Sequence, residues 1–165
     1  MAIVRYAGLM ENDFTDGRGV CVSLWVQGCP HACPGCHNPE TWDFNGGYEV
    51  PADLRGQIIK AISANGITRN FSILGGEPLC EENLDFVLFI ISAVRAAYPD
   101  IDIYIWSGYT FDELINQNNE KISQILSYAN YLIDGKYEES LRDITLPLRG
   151  SSNQNIIELD KEKIL

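Results

Sequence analysis

Three of the chain's five cysteines, Cys29, Cys33 and Cys36, fall within eight positions of the stretch GCPHACPGCHNPETW, Gly28 to Trp42. Thiolates at that density are ligands for zinc or for an iron–sulfur cluster, and ligand number and spacing separate the two. Structural zinc takes four ligands, usually as two pairs divided by a longer segment. Here there is no second cysteine pair, and His31 or His37 would have to complete a set with little chain between ligands. Three cysteines on a 4Fe–4S cluster leave one iron open, and an open position is what makes a metal site catalytic rather than structural. The spacing favours the cluster and keeps zinc as the alternative. Cys21 and Cys80 stand alone in apolar or turn contexts and are expected to be small buried hydrophobes, not ligands.

The rest of the chain must hold that loop in place. Its 165 residues suit one domain, 1–165, able to bury a core without disulfides. A net charge of −11, from 12 basic against 23 acidic residues, argues against a nucleic-acid or anionic-membrane surface. The longest apolar run, FVLFIISAV (Phe86 to Val94), is too short to span a bilayer, and MAIVRYAGLMEND lacks the apolar core of a signal peptide. A cytoplasmic protein is expected. In reducing surroundings clustered thiols are more often metal ligands or redox groups than disulfides.

VCVSLWVQ (Val20 to Gln27) is rich in β-branched and aromatic residues and ends at Gly28, so it reads as a strand feeding the cysteine loop. ADLRGQIIKAISANG places Leu54, Ile58, Ile59 and Ile62 on one helical face, with Gly66 as the cap. A short strand, Asn70 to Leu74, then runs into GGEP. From Glu82 the pattern is helical through Leu84, Val87, Leu88, Ile91 and Val94, ending before Pro99. IDIYIW has the period-two alternation of a strand. Thr110 and Glu113 form a capping box, Ile122, Ile125 and Leu126 mark another helix, and NYLID and NIIEL (Asn155 to Leu159) are further strands. Strands alternating with helices predict a mostly parallel α/β sheet, with CPHACPGCHN, GGEP, WSGY and DGKY gathered at one rim of strand C-termini.

The CxxxCxxC spacing after the first strand, followed by GGEP after the next, resembles the radical S-adenosylmethionine (SAM) superfamily. Within it, GCPHACPGCHNPETWDF, LGGEPL, LIDGKY and RGSSNQ together resemble the family that activates anaerobic ribonucleoside-triphosphate reductase. The likeness covers nearly the whole chain. It implies a partial, open βα barrel, since the chain is short for a complete barrel of roughly 250 residues. It implies Cys29, Cys33 and Cys36 as ligands of one 4Fe–4S cluster, whose fourth iron takes SAM. Gly35, Cys36 and His37 match the segment beside SAM; many superfamily members have an aromatic residue where this chain has Gly35. Gly75, Gly76, Glu77 and Pro78 match the motif that receives the methionine amino group, Gly76 being the preferred contact. Asp134 and Lys136 match polar residues near SAM, although DG alone is also an ordinary turn. Ser107 and Gly108 are ribose neighbours or strand-end loop.

The resemblance further implies a 5′-deoxyadenosyl radical that takes a hydrogen atom from a glycine near the C-terminus of the partner reductase. It implies a flavodoxin-like electron donor, and it allows a homodimer or a complex with a reductase dimer. A radical-SAM enzyme acting on a small molecule and a zinc-binding interaction module are the competing readings. His31 is read as a solvent-exposed loop residue, a hydrogen bond to cluster sulfur being the alternative. Trp42 is expected to be a packing anchor. Arg149 to Gln154, in RGSSNQ, carries no mechanism from the sequence.

Overall fold

The computed structural model describes residues 4–159; the outermost residues of the expected 1–165 domain lie outside the described residues. Seven strands, β1 (Arg5–Asp13), β2 (Cys21–Val26), β3 (Tyr48–Glu49), β4 (Asn70–Gly75), β5 (Ile103–Trp106), β6 (Tyr131–Asp134) and β7 (Asn155–Glu158), form one sheet in the order β3-β1-β2-β4-β5-β6-β7. The centre, β2-β4-β5-β6, is parallel. β1 and β7 flank it antiparallel, and β3 pairs antiparallel with β1. β3 and β7 are the two edges, and the sheet does not close.

Helices α1 (Leu54–Ile62), α2 (Leu84–Ala97), α3 (Phe111–Asn116) and α4 (Glu120–Tyr128) connect the parallel strands. α1 buries Leu54, Ile58, Ala61 and Ile62, the i, i+4, i+7, i+8 stripe of a core-facing helix. It ends at Ile62, earlier than a Gly66 cap requires; a 3-10 turn at Ala64–Gly66 follows, with Asn65 at φ 58°. α2 begins at Leu84, after a 3-10 turn over Glu81–Asn83, and stops one residue short of Tyr98. Thr110 accepts a hydrogen bond from Glu113 N–H at 3.1 Å, the expected cap of α3, and Asn119 caps α4 through Lys121 and Ile122.

Alternation along the central strands gives the sheet two unlike faces. Val22, Leu24, Val26, Phe71, Ile73, Ile103, Ile105 and Leu132 are buried in one apolar cluster with the helices. Each fully buried side chain of this kind contributes about 1.5–3 kcal/mol. The intervening positions, Ser23, Trp25, Ser72, Leu74, Tyr104 and Trp106, belong to the opposite face. There Ser23 donates to Asp13 Oδ2 at 2.6 Å, Ser72 donates to the Asp16 carbonyl, and the Tyr104 hydroxyl accepts from Arg18 N–H at 3.3 Å. No helix among the described residues is long and apolar enough to cross a membrane.

Ile73 lies at the centre of the apolar face, fully buried, whereas Ile144 is 84 % exposed. Ile73→Ala is expected to lower stability by about 2–5 kcal/mol, read as a shift of the denaturant midpoint. Ile144→Ala is expected to stay within about 0.5 kcal/mol of the parent.

Candidate functional site

Each parallel strand ends in a loop on the same rim. β2 runs into Gly28 and the cysteine loop, β4 into Gly76 and Glu77, β5 into Ser107 and Gly108, and β6 into Gly135 and Lys136. Between these loops, on the Trp25 and Trp106 face of the sheet, lies a cavity of about 640 Å³. Its lining includes Cys29, Cys33, Cys36, His31, His37, Gly75, Gly76, Glu77, Ser107, Gly108 and Lys136, joined by Asp16, Arg149 and Gln154. Gly35 and Asp134 are not part of that lining.

The cysteine loop is closed at its base by Gly28 N–H to Thr41 O at 2.7 Å and Cys29 N–H to Trp42 O at 3.1 Å. Gln27 braces it from below, donating to Glu40 O and Asp43 O. Trp42 is half-buried at the same junction. All three loop cysteines are free thiols. Burial pushes the Cys29 thiol up, and the nearby Glu77 charge adds to this, but the His31 and Ala32 amides oppose it. Burial also raises Cys33, against the Tyr137 amide and the Lys136 charge. Cys36 Sγ accepts from Asn38 N–H at 3.5 Å. Among the described residues no three His, Cys, Asp or Glu side chains gather closely enough to hold a metal ion. All three cysteines nonetheless line the same cavity.

Cys21 and Cys80 are buried and do not line the cavity. Burial, with the Glu77 charge next, pushes Cys80 up to about 12.

The β2 and β4 exits touch directly. Glu77 N–H donates to Gly28 O at 2.8 Å, and a Cβ on Gly76 would sit 2.4 Å from that same oxygen, so only glycine permits the approach. The Glu77 side chain is 1 % exposed. Its Oε1 accepts from His31 Nε2–H at 2.7 Å and Gly108 N–H at 2.7 Å; its Oε2 accepts from Ser107 Oγ–H at 2.8 Å and Leu79 N–H at 2.9 Å. His31 is therefore not the solvent-exposed loop residue expected from the sequence. Its side chain is 6 % exposed, with the ring edge-on to Tyr109 at 4.6 Å.

Asp134 is also engaged within the protein: Oδ2 accepts from Phe111 N–H at 2.8 Å, at the start of α3, and Oδ1 from Asn155 at 3.2 Å. Lys136 is exposed at the cavity. Gly35 is exposed at φ 75°, where a Cβ would meet the Glu139 carboxylate. His37 is exposed, its ring 5.3 Å from Tyr137.

RGSSNQ buttresses the β6 loop. Gln154 donates to Gly135 O and accepts from Gly150 and Ser151 N–H, Asn153 donates to Lys136 O, and the buried Ser151 hydroxyl accepts from Glu138 N–H. This places Arg149 on the cavity. Two further residues escaped the sequence reading. Asn83, buried just before α2, donates to Gln27 O, Gly28 O and Glu77 O, clamping the two strand exits together. Asp16, on the cavity, pairs with Asp13: burial, then the proton and charge shared with Asp13, push Asp16 up to about 7. Burial works against the Asp13 carboxylate, but hydrogen bonds from Asp16, Ser23 and Thr15 outweigh it and hold it at about 2.

Residues 15–157 match the family described as a 4Fe-4S single cluster domain. The chain is 39 % identical over 143 residues to the anaerobic ribonucleoside-triphosphate reductase-activating protein of Escherichia coli K12, spanning 86 % of this chain and 90 % of that one. It is 37 % identical over 152 residues to the protein of the same name from Salmonella typhi, covering 92 % and 96 %. To that of Enterobacteria phage T4 it is 33 % identical over 153 residues, covering 93 % of each.

Cys33→Ala is expected to abolish iron retention after anaerobic reconstitution, while Cys21→Ala keeps full iron and sulfide; the reverse pattern contradicts the ligand set. A second expectation concerns pH. The raised Asp16 value means that its contribution favours folding at low pH and is lost as pH rises through about 7. The depressed Asp13 value acts oppositely, its contribution present above the ordinary carboxylate range and lost as pH falls toward about 2. Asp16→Asn should therefore flatten the decline in stability between about pH 4 and 7, measured by denaturant melts, while keeping the acid limb. An unchanged slope contradicts the pairing.

Proposed function

This chain belongs to the family of anaerobic ribonucleoside-triphosphate reductase-activating proteins, and on that footing we propose that it installs a glycyl radical on the reductase, with SAM as the radical source. The observation that carries this reading is the gathering of Cys29, Cys33, Cys36, the Gly75–Gly76 turn and Arg149 around one cavity at the strand ends.

The residues fit the groups required. Three free thiols on one short loop lining the cavity are the number and type of ligand that a three-cysteine 4Fe–4S cluster takes, and amides beside Cys29, Cys33 and Cys36 are the donors that favour thiolate sulfur. Two buried donors of cavity-lining residues, Trp25 Nε1 and Arg149 Nε, have no acceptor among the described residues. That suits a ligand rich in acceptor oxygens and nitrogens, as SAM is. When bound, the reduced cluster and SAM supply a 5′-deoxyadenosyl radical that takes a hydrogen atom from a glycine Cα.

The chain's own residues bind, orient and shield. Cys29, Cys33 and Cys36 would hold three irons of the cluster and leave the fourth open to SAM. The Gly76 backbone would receive the methionine amino group, Arg149 and Lys136 would supply positive charge for its carboxylate, and Cys36 and His37, on the cavity, would lie beside the adenine, with Gly35 outside the lining. Glu77 and Asp134 shape the loops rather than touch SAM: protein donors fill all four acceptor positions of Glu77, and Asp134 lies outside the cavity lining and braces the start of α3. No general base is needed, since a hydrogen atom moves rather than a proton. Trp25 and Trp106 wall the cavity against water.

The open sheet supports a single-domain partial βα barrel of the radical-SAM type. Its missing strands leave a lateral entrance, suited to the glycine loop near the reductase C-terminus. A flavodoxin-like donor in the cytoplasm would supply the electron, with the activase acting as a homodimer or bound to a reductase dimer.

The test is to mix reduced, reconstituted protein with SAM and the reductase under anaerobic conditions. A glycyl-radical EPR doublet on the reductase and stoichiometric 5′-deoxyadenosine are expected. SAM cleavage without that doublet would point to a small-molecule substrate, and a colourless zinc protein unchanged by reconstitution would overturn the cluster itself.

A further inference from the structure

The reading above leaves His31 without a role, although its ring is one of the most constrained side chains at the cavity. It lies between Cys29 and Cys33, is almost fully enclosed, and donates from Nε2 to Glu77 Oε1 at 2.7 Å. Tyr109 packs against one side of the ring. Gly108 approaches the ring so closely that a Cβ there would lie 2.5 Å from His31 Cδ2 and 2.7 Å from Nε2. The acceptor, Glu77, is fixed in turn by Gly108 N–H, Ser107 Oγ–H and Leu79 N–H.

From this arrangement we propose that His31 is a positioning residue for the cluster: its bond to Glu77, with Gly108 as the slot for its ring, locks the Cys29–Cys33 segment to the loops after β4 and β5. The physical reason is the loop's own weakness. Between Cys29 and Cys36 the backbone makes one internal hydrogen bond among those outside regular elements, Cys36 N–H to Cys33 O, and Ala32 is held at φ 47°, a left-handed conformation costly for a residue with a Cβ. Amides of His31 and Ala32 serve the Cys29 thiol and that of Tyr137 the Cys33 thiol, and an enclosed side chain bonded to a fixed carboxylate adds the tie from this segment to the loops after β4 and β5. Loss of such an outer contact to a ligand shell typically costs about 10- to 100-fold in metal affinity.

The proposal rests on Cys29, Cys33 and Cys36 holding the cluster, so the parent protein is the control: failure of the parent to take up iron sinks that assignment, not this one. Iron release to a chelator, the EPR line shape of the reduced cluster, and apo-protein melting are measured for His31→Ala, His31→Gln, Gly108→Ala and the double variant His31→Ala/Gly108→Ala. His31→Ala is expected to release iron about 10- to 100-fold more readily and to shift the EPR line shape, with apo melting lowered because the buried Glu77 carboxylate loses one of its donors. His31→Gln, whose amide can still donate to Glu77 and which lacks a ring, is expected to recover most of the retention. Gly108→Ala should weaken retention when His31 is present and add little when it is Ala. Parent-like retention and line shape in His31→Ala overturn the proposal. So does His31→Gln behaving like His31→Ala, or a Gly108→Ala effect that is the same in both backgrounds.

Discussion

A carboxylate taken out of water must be met by donors on every side, because an unpaired buried charge costs several kcal/mol. Glu77 meets that demand with four hydrogen bonds drawn from the cysteine loop, its own turn and the loop after β5. The three loops are thereby made mutually dependent. None of them can leave its place without stripping a partner from a charge that is 1 % exposed. Asn83 and the Gly28–Glu77 backbone bond add neutral contacts at the same junction, so the rim on which the thiols stand is held by a connected network of satisfied polar groups.

That junction exists because of the sheet beneath it. Parallel strands bring their C-terminal ends to one rim, and period-two alternation lets a single strand bury Val26 against the helices while offering Trp25 to the cavity. The apolar face supplies the stability and the other face the chemistry. Since the sheet is open, loops complete the cavity lining: Thr15 and Asp16 after β1, and residues between Lys136 and Gln154 after β6. RGSSNQ, opaque as a motif, acquires a physical role here, because Gln154 and Asn153 bond the β6 loop and place Arg149 on the cavity.

Much of this was legible in the residues. The central strands announce themselves by alternation and by glycines at their ends, α1 and α2 by their apolar stripes, and the three cysteines by spacing alone. β1 was not legible: RYAGLMEND has no clean alternation, and the register of its pairing with β2 shifts twice. β3, two residues long, is below what any pattern can signal. At the site, the errors and omissions are all long-range. His31 looks like exposed loop until its partner, 46 positions along the chain, is folded beside it. Asn83 and Asp16 carry no local motif, and only tertiary structure gives them their contacts. Glu77 and Asp134 show the converse case, in which a motif names the residue and the structure shows what its oxygens bond.

The central claim is that three thiolates grip one cluster and leave one iron for a small-molecule ligand. Mössbauer spectroscopy of protein reconstituted with iron-57, with and without SAM, addresses it most directly. The account predicts that adding SAM changes the spectrum of one iron while the other three keep their thiolate-bound parameters. Four irons that remain equivalent, or a spectrum that SAM leaves untouched, would contradict it.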